Sequence, residues 1–179
     1  MIATHFWSKQ HSATLSLFMM VALFATWQLP VSPVHAQEIY AEIAKYQEKF
    51  QKLENELTTS QRRMLSSANP EGVQVAAYTH LEHTAQLLAS ANREFGVLSQ
   101  SLTLAALVTD AKSVPLARRV VELQKEYMLK RLSMSADFIE KSKHRAQDPE
   151  TSRLLLEARD LLRSSMLVVD RVPWVAPKR

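Results

Sequence analysis

The chain has 179 residues, 46% hydrophobic and 22% charged, with no cysteine and a formal net charge of +4. This balance fits one globular domain rather than a disordered chain; the missing thiols exclude disulfides, a cysteine nucleophile and covalently attached haem. The basic excess falls well short of a nucleic-acid footprint, and Gly72 and Gly96 are too few glycines for a turn-rich β fold or a phosphate loop.

Residues 1–36 contain no Asp or Glu, and Lys9 adds positive charge to the amino terminus. An apolar run, Leu15 to Trp27, follows, then Pro30 and Pro33, then Val34-His35-Ala36. A charged start, an apolar core and a small-residue exit form a cleavable secretory signal, with the cut expected between Ala36 and Gln37. An uncleaved anchor is the alternative, because Ala13 to Leu29 reaches about 17 residues, the lower limit for a span. Cleavage implies a secreted or periplasmic protein, without a membrane span once the signal is removed.

From Gln37 onward the chain reads as four helices, since Ala, Leu, Glu, Lys, Arg and Gln dominate and all favour helix. The first is expected over about 38–65. Its Ile39, Ile43, Tyr46, Phe50, Leu53 and Leu57 alternate spacings of four and three, a heptad seam. Asn69-Pro70-Glu71 then offers a capping residue, a proline at the first helical position and an acid near the positive helix end. The second helix, over about 70–109, shows one stripe through Tyr78, Leu81, Ala85 and Leu88. Another runs through Leu87, Ala91, Leu98, Leu102 and Ala105. Forty residues would span about 60 Å, so Gly96 or the stretch 99–103 is the expected place for a kink.

The third helix is expected over about 115–144, after Ser113-Val114-Pro115. Its main stripe, expected to face the core, is Leu116, Val120, Leu123, Tyr127, Met134 and Phe138, widened by Val121, Met128, Leu132 and Ile139. Asp148-Pro149-Glu150 opens the fourth, over about 149–170. Leu154, Ala158, Leu161 and Val168 share a face there, with Leu155, Leu162, Met166 and Val169 beside them. Residues 171–179 read as a tail. Short connections place neighbouring helices antiparallel. The fold class is therefore all-α, an up-down four-helix bundle over 37–170, with room for one long protruding or kinked hairpin.

Chemistry is sparse. His80 and His83 lie one helical turn apart and are the weak candidates for a metal, but two ligands do not close a site. The paired Glu-x-x-His signature of di-iron bundles is absent, and Met64, Met128, Met134 and Met166 are better explained by packing than by haem ligation. No nucleophile elbow occurs. No catalytic residue and no cofactor are expected.

Charge divides unevenly: residues 37–114 hold 7 basic and 9 acidic side chains, residues 115–179 hold 14 and 9. Lys141, Lys143, His144 and Arg145 cluster at the end of the third helix, where cations suit the negative helix terminus. Arg118 and Arg119 sit at its positive end, where they gain nothing from the dipole. Together, Arg118, Arg119, Lys141, Lys143 and Arg145 are the candidate partner-binding residues, suited to weak attraction for an anionic surface.

Leu57-Thr58-Thr59-Ser60-Gln61 is similar to the Leu-Thr-x-x-Gln motif of small periplasmic stress chaperones of the Spy/CpxP type. The match covers five residues, and Leu102-Thr103-Leu104-Ala105-Ala106 lacks the Gln of a second copy. The resemblance implies a holdase-like role as one alternative. The leading expectation is a non-catalytic bundle that binds another protein or itself through helix faces in the cell envelope; a ligand- or metal-binding bundle using His80 and His83 is another alternative.

Overall fold

A computed structural model describes residues 34–66, 72–143, 146 and 148–172. The expected signal core, the Asn69-Pro70-Glu71 cap and the last seven residues lie outside the described residues. Four helices account for nearly all of the rest: α1 (Val34–Ser66), α2 (Gly72–Leu107), α3 (Val114–Lys143) and α4 (Pro149–Arg171). There is no strand among the described residues. α1 begins four residues earlier than the sequence pattern indicates, directly after Pro33.

Each helix runs antiparallel to its neighbours, and the cross-helix contacts fix the register. Between α1 and α2, the Tyr40 hydroxyl lies 3.4 Å from Thr103 Oγ1, while the Gln47 amide donates to the Asn92 carbonyl. Between α2 and α3, Arg131 reaches Ser90 and Glu94, and His83 meets Phe138. Between α3 and α4, Arg159 pairs with Glu140 and Arg163 with Asp137. Between α4 and α1, Arg171 pairs with Glu42 and Arg63 with Glu150. This closed cycle is an up-down-up-down bundle.

The heptad seam of α1 enters the core as its spacing demands. Ile43, Phe50, Leu53 and Leu57 are buried, with Ile39, Tyr46 and Met64 partly so. The Tyr46 ring stacks on Phe95 at 6.2 Å, and Phe50 tilts against the same ring at 5.6 Å, which locks α1 to α2 at mid-height.

The buried line of α2 is one seam, not two: Ala77, Leu81, Thr84, Leu88, Ala91, Phe95, Leu98, Leu102 and Ala105, in strict alternation of four and three. The helix is continuous through Gly96, whose absent Cβ would make only ordinary contact, 3.5 Å from the Gln47 side chain. No kink is needed, because a seam of that period stays against its neighbours over the full length.

The helix ends follow local chemistry. Asp148 caps α4, accepting the Thr151 N–H at 2.7 Å, with Pro149 at the first position and Glu150 in the first turn. α3 starts from a turn built on Asp110, whose carboxylate accepts both the Ser113 N–H and its hydroxyl. At the other end of α4, Lys125 of α3 donates to the carbonyls of Asp170 and Val172, meeting acceptors that a helix end leaves open. Val172, the second residue of the expected tail, is buried in the core.

The core is not uniform along its length. Ser60, Gln61, Thr84, Ser142 and Thr151 are buried toward the end where α1 and α3 finish and α2 and α4 begin. Thr84 satisfies its hydroxyl on the His80 carbonyl of its own helix. Gln61 Nε2 and Thr151 Oγ1 find no hydrogen-bond partner among the described residues. Toward the opposite end the buried positions among the described residues are almost all apolar; Ser165 is buried there and bonded to the Leu162 carbonyl.

Candidate interaction surface

α3 carries apolar residues on two sides, and the structure turns the smaller set inward. Val121, Met128, Leu132, Ala136, Ile139 and Ser142 form its buried line. The stripe that reads as dominant in the sequence, Leu116, Val120, Leu123, Tyr127, Met134 and Phe138, faces outward, each residue 44–67% exposed. The expectation that this stripe faces the core is therefore corrected. Val121, Met128, Leu132 and Ile139 share the inner line with the small side chains of Ala136 and Ser142, which suit close packing between helices, whereas the bulkier stripe lies on the opposite side.

Position by position, the outer stripe is a second heptad seam. Leu116, Val120, Leu123 and Tyr127 follow the four-three alternation, Lys130 takes the next place, and Met134 resumes it. α2 contributes to the same side. Val97 and Leu104 are exposed and lie seven and fourteen residues beyond Ser90, which touches Arg131 of α3. Seven residues are nearly two turns, so both fall on the flank of α2 that borders α3.

The polar groups around this surface are mostly engaged. Arg131 is the hub: its guanidinium bonds the Tyr127 hydroxyl at 3.1 Å and Ser90 Oγ at 3.0 Å, and lies 2.7 Å from Glu94 Oε1. Burial pushes the Glu94 carboxyl above its usual range, with Arg131 and Ser90 pulling the other way. On the far side of α3, a hydrogen bond from Arg159 holds the Glu140 carboxyl below its usual range. The Asp110 carboxyl is also lowered, first by the Ser113 hydroxyl and then by backbone N–H groups of the turn.

Comparison with protein-family models, with curated proteins and with solved structures finds no match.

The five basic candidates do not form one patch. Arg118 is bonded to Glu122 at 2.7 Å, and Arg119 lies within 4 Å of both Glu122 and Glu126. Lys141 and Lys143 occupy the last turn of α3, about 33 Å away along the helix axis. Arg145 lies outside the described residues. His83 is exposed with its ring edge against Phe138, and His80 is half-buried on α2. No group of three His, Cys, Asp or Glu side chains suited to a metal occurs among the described residues, so nothing there completes a site around this pair.

The chaperone-like segment places Leu57 and Gln61 in the core rather than on a surface. An open cleft of about 450 Å³ lies between α1 and α4, bordered by Lys52, Glu56, Arg63, Glu150 and Arg153. Its charges are mixed, Arg63 already faces Glu150, and Arg153 is bonded to Glu157. Among the described residues, no helix is long and apolar enough to cross a membrane. The outward apolar seam of α3 is the feature that packing within the chain leaves unexplained, and sequence reasoning found its residues but assigned them to the core.

Proposed function

We propose that this protein is a non-catalytic binding module of the cell envelope, exported by its N-terminal signal, which docks a protein partner on the outer face of α3. The observation that carries the reading is the solvent-facing heptad seam. Single exposed apolar residues are ordinary on protein surfaces, but a contiguous, periodic set flanked by charged residues is the form a helix takes when another helix packs on it. Export is supported by the charge-free apolar core of residues 15–27 and the small-residue exit at 34–36.

Replacing Leu116, Leu123 and Met134 together by Gln tests the docking face. The triple variant should keep its helical circular dichroism and lose capture of envelope proteins or of itself. Undiminished capture by the folded variant would remove α3 as the docking element. Export is checked by fractionating cells that express the chain with a C-terminal tag. An intact, unprocessed chain in the cytosol would remove the envelope from the proposal.

A further inference from the structure

We propose that the occupant of this face is a second copy of the chain, with two α3 helices crossing antiparallel about a two-fold axis midway between Val120 and Leu123. The inference rests on the docking role given above for α3 and names its partner.

The spacing of the seam comes first. Leu116, Val120, Leu123 and Tyr127 are disposed symmetrically about the point between 120 and 123. In an antiparallel pair centred there, Val120 faces Leu123 of the second copy, and Leu116 faces Tyr127. All four layers are apolar on both sides, as an isologous contact requires. One step further, Lys130 interrupts the seam, and its counterpart position is Ser113, just before the helix starts. The apolar contact thus ends at both limits together.

Charge gives the second argument. Arg119 and Glu126 flank the seam on one side, each directly preceding an equivalent seam position, Val120 and Tyr127, and that flank meets its own kind when two such helices cross antiparallel. In the antiparallel pair, Arg119 of each copy comes beside Glu126 of the other. Within one chain their contact is loose, 3.8 Å with both side chains more than half exposed, so little is lost by exchanging it. A parallel pair would instead bring Glu126 beside Arg131, and Arg131 is already held by Glu94, Ser90 and Tyr127.

Area gives the third. At their observed exposures, the four seam residues with Val97 and Leu104 present about 600 Å² of side chain per copy, or about 1,200 Å² for a pair, the lower end of what stable dimers bury. The expected product is a modest, concentration-dependent dimer.

The test is sedimentation of the purified protein with two charge reversals, Arg119→Glu and Glu126→Arg, each checked for unchanged circular dichroism. Each variant alone places like charges together twice and should weaken dimerisation by about tenfold or more. Mixing the two variants restores both opposite-charge contacts in the mixed dimer only, so the mixture should associate nearly as well as the parent. Their pairing within one chain cannot produce that rescue, because neither chain regains it. A parent that stays monomeric to about 100 µM, or a dimer whose charge variants show no rescue on mixing, overturns the proposal. If the parent is monomeric but the triple Gln variant still loses capture of other envelope proteins, the second copy is excluded and the docking role of α3 survives. Loss of neither removes both.

Discussion

The rotation of α3 makes a quantitative claim that two Leu→Ala changes can check. Leu132 is 1% exposed and Leu123 is 47% exposed, nine residues apart on one helix. Truncating Leu132 removes about three buried carbons, or about 2.4 kcal/mol of transfer free energy. The hole adds a further cost of about 24 cal/mol per Å³ that does not collapse, so the total should be about 3–4 kcal/mol. Leu123 gives up only about half of its transfer term and leaves no enclosed hole, so its cost should be at most about 1 kcal/mol, offset slightly by the better helix propensity of Ala. Urea unfolding followed by circular dichroism, at protein concentrations low enough to suppress association, reads both values. The pair should differ by about 2 kcal/mol or more. Equal costs, or a larger cost at Leu123, would mean that α3 presents its other side to the core and would refute the assignment of the outer seam.

Three other outcomes follow from the geometry. Asp148→Ala should destabilise by about 1 kcal/mol, with Asp148→Asn recovering most of it, because the cap bond to the Thr151 N–H needs only a side-chain oxygen; urea midpoints of the two variants check this. Phe95→Ala should cost about 3–5 kcal/mol, the upper range for a buried ring, since both Tyr46 and Phe50 lose their partner. The pH dependence should contain two opposed parts. Glu140 is lowered by its bond to Arg159, so its contribution is present above the ordinary value of 4.5 and lost as pH falls through its folded value. Glu94 is raised by burial, so its contribution is greatest below 4.5 and is lost as pH rises through its folded value. Stability measured against pH should therefore become flatter on the acid side in Glu140→Gln. In Glu94→Gln it should lose its decline just above that range.

The bundle was legible because its helices are punctuated by prolines and each carries a four-three stripe. The apolar seam of α1 was readable, since Ile43, Phe50, Leu53 and Leu57 have no rival stripe on the other side, although its early start and the buried Ser60 and Gln61 were not. α4 was nearly so. α2 was harder: its seam passes through Ala77 and Thr84, which carry little apolar signal, so Phe95 went unrecognised and one line looked like two. α3 shows a deeper limit. Periodicity locates apolar sides, but it cannot rank two of them when the outer one is larger, because the inner side is chosen by how closely neighbouring helices approach. Ala136 and Ser142, the small members of the buried line, were the available clue. The charged candidates fared differently from the seams: Arg118 and Arg119 were visible as an anomaly at the wrong helix end, while their carboxylate partners one and two turns along show how the chain accommodates them.

The uneven chemistry of the core bears on how the molecule breathes. Hydroxyls and an amide occupy the interior near the junctions leading into α2 and α4, so that half has less water-averse area to lose and two polar groups that gain a partner when solvent enters. Amide protons there should trade with deuterium through partial openings, well before those around the Tyr46–Phe95 stack, which exchange only when the whole bundle comes apart. The four helices would then unzip from one end, leaving the half that carries Val120 and Leu123 folded longest.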